Sequence, residues 1–284
     1  MAWMPGCGRE NRAHDCVRKE PRISILTVTQ ADISGGLRAL GLSVGDVVFA
    51  HSSLGSFGYV DGGANTVVRA LVEVLGPGGT LSVPTFHRYF AQGPDQVWDR
   101  PHTPSRMGQI TETVRTWSGA YRSAHAVHPI AAVGALARDI ADRDHETDFD
   151  EQSTFQRLID HEAWILLMGV TYQNCTHIHV VEERLIVPYR HWIEYAGTVI
   201  DGEVRTFKTY RFLAKYSGLK NDFLPLGHAL ESEGKVRTHV IVNSTMLLFK
   251  AQDIVDLGLE KVTGDPLFLI HEDSKKEASR YLLK

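Results

Sequence analysis

The stretch from residue 47 to residue 84 constrains the fold more than any other part of the chain. Val47-Val48-Phe49-Ala50 is a short unbroken apolar run, which suits a strand covered on both faces. A loop crowded with Ser and Gly follows over residues 51–63. Val67, Val68, Leu71, Val72 and Leu75 then recur at helical spacing, and Gly76-Pro77-Gly78-Gly79 stops that helix. Thr80-Leu81-Ser82-Val83-Pro84 reads as the next strand. Strand, loop, helix, turn, strand is the order of a βαβ unit with a right-handed crossover, so the expected class is α/β, a central sheet with helices on both faces.

The flanking segments extend this pattern. Upstream, Thr29 offers a hydroxyl cap with Asp32 one turn on, followed by Ile33, Leu37 and Leu40 at helical spacing, and Gly41 ends the helix. Residues 86–106 lack periodicity, and a loop of that length in a compact domain is usually functional. Residues 110–117 read as a helix, 130–133 as a strand, 163–170 as a buried strand, 176–186 as a helix halted by Pro188-Tyr189, 252–262 as a helix and 266–270 as a final strand. Residues 192–212 alternate, with turn signals at Gly197 and Asp201-Gly202, so a hairpin is expected as a small β-rich addition at about residues 190–215, in the C-terminal third. The acidic tract 139–151 reads as a solvated connector, or alternatively as a wall facing a cationic substrate. Residues 1–22 are expected to be a mobile leader and residues 23–284 one domain.

Composition narrows the function classes. The net charge is −4 and no run of Lys or Arg stands out, which argues against nucleic acid or an anionic membrane as partner. No run approaches the roughly 20 apolar residues of a membrane span. Of Cys7, Cys16 and Cys175, two lie in the leader, so no disulfide framework is legible. The leader also lacks the apolar stretch of a signal peptide, and a cytoplasmic location is expected. A mildly acidic surface suits a polycationic small-molecule partner.

The densest chemical constellation is Asn174-Cys175-Thr176-His177-Ile178-His179-Val180-Val181-Glu182-Glu183, after an apolar strand. If Thr176 caps the helix, His179 is its third residue and Glu182 lies one turn on, on the same face. There it could fix the His179 tautomer and stabilise the protonated ring. The carboxyl edge of an α/β sheet is where such folds bind ligands. A plain surface pair is the alternative. A second reading takes His125, His128, His177 and His179 as metal ligands. It requires a strand here, since a helix puts His177 and His179 about 200° apart. The residue 51–63 loop, opening a helix near Ala64, could take a phosphate-bearing cofactor or be an ordinary turn.

Taken together, Val48-Phe49-Ala50-His51-Ser52-Ser53-Leu54, Gly62-Gly63, Leu75-Gly76-Pro77-Gly78-Gly79-Thr80-Leu81, Pro84-Thr85-Phe86, Met107-Gly108, Arg122-Ser123-Ala124-His125, Leu166-Leu167-Met168-Gly169-Val170, the His179 segment, Pro188-Tyr189 and Asp265-Pro266-Leu267 resemble the aminoglycoside 3-N-acetyltransferase family. The order and intervals agree over about residues 30–272. The resemblance implies that family's own α/β fold, distinct from the GNAT acetyltransferases, and acetyl-coenzyme A as donor without a metal. It implies direct transfer to an amino group of an aminoglycoside, a polycationic acceptor, or of another amine such as an amino sugar or biosynthetic intermediate. A zinc hydrolase and a non-catalytic coenzyme A-binding protein are the rivals.

The resemblance makes His179 the base, Glu182 its orienting partner and Thr176 a neighbour of the thioester. It places His51, Ser52, Ser53, Leu54, Gly62, Gly63, Met107 and Gly108 at the cofactor. His125 is expected on the acceptor side, joined by Asp150 and Glu151 where the acidic tract is read as a wall for a cationic substrate, although no acid of that tract matches the family residue by residue; a homodimer is compatible with all of this. Ala126 and Pro129 stand where the family usually has Pro and Ser.

Overall fold

The computed structural model describes residues 26–86, 96–142 and 145–282. The expected leader, with Cys7 and Cys16, and residues 87–95 of the long loop lie outside them. In chain order the elements are β1 (Thr27–Val28), α1 (Gln30–Leu40), β2 (Val47–Ser52), β3 (Tyr59–Val60), α2 (Gly63–Leu75), β4 (Thr80–Pro84), β5 (Val97–Asp99), α3 (Gln109–Arg115), β6 (Tyr121–Arg122), β7 (Ile130–Gly134), α4 (Ala137–Ala141) and α5 (Thr154–Asp160). Then come β8 (Trp164–Met168), α6 (Ile178–Arg184), β9 (Arg190–Asp201), β10 (Glu203–Ala214), α7 (Leu224–Ser232), β11 (Arg237–Ile241), β12 (Ser244–Lys250), α8 (Ala251–Gly264) and α9 (Glu272–Ala278).

The main sheet has seven strands in the order β11-β12-β8-β2-β4-β7-β6. Its centre is the expected parallel unit, with β2 pairing β4 on one side and β8 on the other, both parallel. The outer strands β12 and β7 run antiparallel, so the sheet is mixed. Successive side chains of a strand face opposite ways, and two cores follow from that alternation. Val48, Ala50, Leu166 and Met168 pack with α1 and α2 through Leu37, Val67 and Leu71. Phe49, Ile165 and Leu167 pack on the other face with Phe155, Val181 and Ile254. Each of the larger side chains among these, Val, Leu, Ile, Met or Phe, is worth about 1.5–3 kcal/mol when fully buried.

Local signals largely hold. Thr29 and Asp32 form the capping box of α1, and Gly41 closes it in the left-handed region at φ 104°. The expected hairpin is β9 and β10, turned at Gly202, where φ is 75°. Gly197 turns nothing; it sits within β9 opposite Phe207. The long loop contributes β5, which adds a third strand beside β9 and shelters a small core of Trp98, Ala126, Val127, Val199 and Phe207.

Three further expectations fail. Residues 266–270 are not a strand: Asp265 accepts from the amides of Leu267 and Phe268, winding the segment into turns, and only Ile270 bridges, to Asn221. Helix α6 begins at Ile178, two residues after Thr176; His177 takes the cap position and no side chain caps it. The acidic tract is not uniformly solvated, since Asp139 belongs to α4 and Asp148 is 3% exposed.

Candidate active site

Because β2, β4 and β8 are mutually parallel, their carboxyl ends open onto one edge of the sheet, where folds of this kind bind ligands. A cleft of about 400 Å³ lies there, floored by His51 and Ser52 from β2, Pro84 from β4 and Val170 beyond β8. Gly169 makes the exit from β8 possible: at φ 63° a Cβ there would fall 1.8 Å from Ser56 Oγ. Gln173, Asn174, Cys175, Thr176 and His179 form the wall at the start of α6. Met107 and Thr111 enter from the side of α3, and Val127, His128 and Arg211 form the opposite wall, with Phe86 and Phe223 as further apolar lining.

The His179 ring is 30% exposed and lies between Phe149 and Phe223, with centroid separations of 5.7 and 5.3 Å. Its Nδ1 donates to Glu182 Oε2, which fixes the proton on Nδ1 and leaves Nε2 as the nitrogen free to accept one. Glu182 is 1% exposed and fully engaged. Oε1 accepts from the Tyr189 hydroxyl at 3.0 Å and Asn221 Nδ2 at 2.9 Å, and Arg190 Nη2 lies 3.0 Å from Oε2. Burial by itself would raise this carboxyl; Arg190 and His179 outweigh it and hold the pKa at about 2. The carboxylate is therefore ionised. Tyr189, Arg190 and Asn221 went unnoticed in the sequence. Pro188-Tyr189 drew attention there as a helix stop and as a point of family resemblance, without a role at the site.

Thr176 lines the cleft, yet its amide is not free: it donates to His51 Nε2 across a long 3.5 Å contact. Burial pushes His51 down to about 3, so it accepts as a neutral ring. His177 faces the other way, its ring against Phe49 and Phe155, and burial lowers it likewise to about 3. The helical reading of His177 and His179 on different faces thus holds. Among the described residues no group of three His, Cys, Asp or Glu side chains is placed to hold a metal. Cys175 is buried and its thiol is pushed up to about 12, which removes the thiolate needed of a nucleophile.

Of the expected cofactor residues, His51, Ser52 and Met107 line the cleft. Ser53, Leu54 and Gly108 adjoin these in sequence but are not part of the lining. The Ser53 amide donates to Met168 O at 2.9 Å, tying the ends of β2 and β8 together. Gly62 and Gly63 open α2 in the left-handed region, away from the cleft lining.

The acceptor-side residues need correcting. His125 lies behind the wall, 1% exposed, with Nε2 2.9 Å from Thr209 Oγ1 and its ring stacked on His145. Asp150 serves its own turn, accepting from the amides of Glu146, Thr147 and Gln152, and Glu151 is exposed outside the cleft. The acid that does support this wall is Asp148, with Oδ1 2.9 Å from His128 Nδ1 and Oδ2 3.2 Å from Arg211 Nε. These partners are scattered along the chain, and no spacing announced them.

A family model described as aminoglycoside 3-N-acetyltransferase matches residues 49–263. The chain belongs to this family. The aminoglycoside N(3′)-acetyltransferase-like protein YokD of Bacillus subtilis is a 30% identical relative over 269 residues, 87% of this chain and 94% of that one. Its crystal structure superposes with a TM-score of 0.74, covering 84% of this chain and 95% of that one at 25% identity. Aminoglycoside N(3)-acetyltransferase III from a Salmonella species is 30% identical over 276 residues, 86% of this chain and 96% of its own length. AAC-IIIb in binary complex with CoASH shares the fold at a TM-score of 0.77, with 84% and 97% coverage and 21% identity. Like these acetyltransferases, the family member described here combines a mixed central sheet, flanking helices and additional small sheets.

Proposed function

We propose that this chain transfers the acetyl group of acetyl-coenzyme A to an amino group of an aminoglycoside, directly and without an acyl-enzyme. The observation that carries this reading is His179 at the cleft, with Nδ1 held by an ionised, fully engaged Glu182. His179 Nε2 takes the proton of the acceptor amine as its nitrogen attacks the thioester carbonyl. Glu182 stabilises the imidazolium that forms, and coenzyme A leaves as its thiolate. The Thr176 hydroxyl is the side-chain donor at the carbonyl oxygen, since its amide is directed at His51.

His51, Ser52 and Met107 receive the thioester end of the donor. Ser53, Leu54, Gly108 and the Gly62-Gly63 start of α2 are assigned to the rest of it. The family supports the donor, and the relatives' names support the acceptor. No helix among the described residues is long and apolar enough to cross a membrane, which suits an enzyme that meets both substrates in water.

The test is release of coenzyme A thiol from acetyl-coenzyme A in the presence of an aminoglycoside panel. Turnover that yields an acetamide and falls sharply in His179→Ala is expected. Hydrolysis without acceptor, or turnover indifferent to His179, would overturn the mechanism.

A further inference from the structure

The wall opposite His179 carries a cation whose hydrogen-bond donors are mostly unspent. Arg211 is 19% exposed and lines the cleft from β10. Its Nε donates to Asp148 Oδ2, and its guanidinium lies over the Tyr195 ring, 5.5 Å from the centroid. A guanidinium has five N–H donors. Those on the two Nη atoms have no protein partner among the described residues.

Asp148 does not face outward to balance them, because it is buried, with Oδ2 accepting from Arg211 Nε and Oδ1 turned to His128, 2.9 Å from its Nδ1. His128 adds no charge, since burial lowers its pKa. The carboxylate that could attract an acceptor ammonium is thus spent inside the wall, and what the wall offers outward is N–H. The base is close: Phe149 packs with both rings, 5.4 Å from His128 and 5.7 Å from His179.

We propose that Arg211 determines acceptor specificity, by taking an oxygen of the acceptor, a hydroxyl or an acid group, and excluding a second ammonium from the place that faces it. This rests on the acetyl-transfer reading and narrows it. The amine acetylated belongs to a molecule whose neighbouring substituent toward β10 is oxygen. A site built to hydrogen-bond one group discriminates strongly against an analogue that cannot reciprocate.

The experiment measures kcat/KM by thiol release for pairs that differ in one substituent: paromomycin with neomycin, kanamycin A with kanamycin B, and muramic acid with glucosamine. Wild type, Arg211→Gln and Arg211→Lys are compared. Wild type should favour the member richer in oxygen or acid in at least one pair by about tenfold or more. Arg211→Gln should bring that ratio to near unity through KM, with little change in kcat. If Arg211→Gln does not fold, Arg211→Lys, which keeps Asp148 paired, should still reject the ammonium but lose part of the preference for oxygen.

Ratios near unity in wild type, or ratios that survive both substitutions, overturn the inference and leave the aminoglycoside reading standing. Acetylation of muramic acid alone, dependent on Arg211, supports the inference and overturns the aminoglycoside acceptor. No turnover of any acceptor overturns both.

Discussion

The two walls of the cleft each present a histidine held by a buried acid, and they differ in where the arginine sits. Behind His179, Arg190 reaches Glu182 from outside the cleft lining, so the only polar side chain of α6 that lines the cleft is the imidazole. Beside His128, Arg211 reaches Asp148 from within the cleft and keeps donors to spare. On the roles proposed above, the same triad of residue types would make a proton acceptor on one side and an oxygen-binding surface on the other. An arginine at the back tunes the acid; one at the front becomes part of the site.

The largest effect expected from this contrast is on turnover. His179→Ala should lower kcat by roughly 10²–10⁴-fold, whereas His128→Ala should act mainly on acceptor KM. Equal losses of kcat would erase the distinction between the walls.

Next is the cost of unpairing a buried acid. Glu182→Ala should destabilise the fold by about 3–5 kcal/mol, because it leaves the Arg190 charge without its partner. The sign with pH follows from the lowered pKa: the folded carboxylate at about 2 lies below its ordinary 4.5. Its stabilisation is therefore complete above 4.5 and is lost as pH falls toward 2. Acid unfolding curves of wild type and Glu182→Gln should converge across that window, and parallel curves would count against the pairing.

A third test concerns Glu183, the residue after Glu182 on α6. Glu183 Oε1 accepts from the Thr147 hydroxyl, and burial raises its carboxyl to about 8. A folded pKa above the unfolded one means that the native state holds the proton longer, so stability declines as pH rises from about 4.5 to 8 and then levels. Glu183→Gln should abolish that decline in Tm, and an unchanged slope would assign it to another group.

The smallest effect is expected at Asp150. Asp150→Ala should cost about 0.5–2 kcal/mol, as for a lost cap, and leave acceptor KM nearly unchanged. A selective rise in KM for a polycation would return Asp150 to the site.

Legibility divides along the same line as the walls. Glu182 is one turn from His179, so helical periodicity alone brought base and acid together, and the run of strand, loop and helix placed them at the sheet edge. His128, Asp148 and Arg211 meet only because a hairpin folds back across 63 positions of sequence, and nothing local encodes that. Proximity in sequence misled as well. Asp150 and Glu151 looked like an acceptor wall because acids cluster there, yet the neighbouring Asp148 is the one turned inward. β11 and β12 were missed because the two residues that turn between them, Val242-Asn243, carry no signal of the Asn-Gly kind, although Val242 takes the left-handed conformation at φ 57°.

The lacing between the hairpin and residues 145–150 has a consequence for inheritance. Tyr210 N donates to Glu146 O, Thr209 Oγ1 donates to the same carbonyl, and Asp148 clasps Arg211. In recombination among relatives these two stretches form one cassette, although about forty residues of chain separate them. A chimera that imports residues 190–214 alone orphans a carboxylate in the interior if the newcomer lacks an arginine at the position of Arg211. One that imports residues 145–150 as well brings both halves of the clasp and, on the role proposed for Arg211, should carry acceptor preference with it while leaving His179 in place.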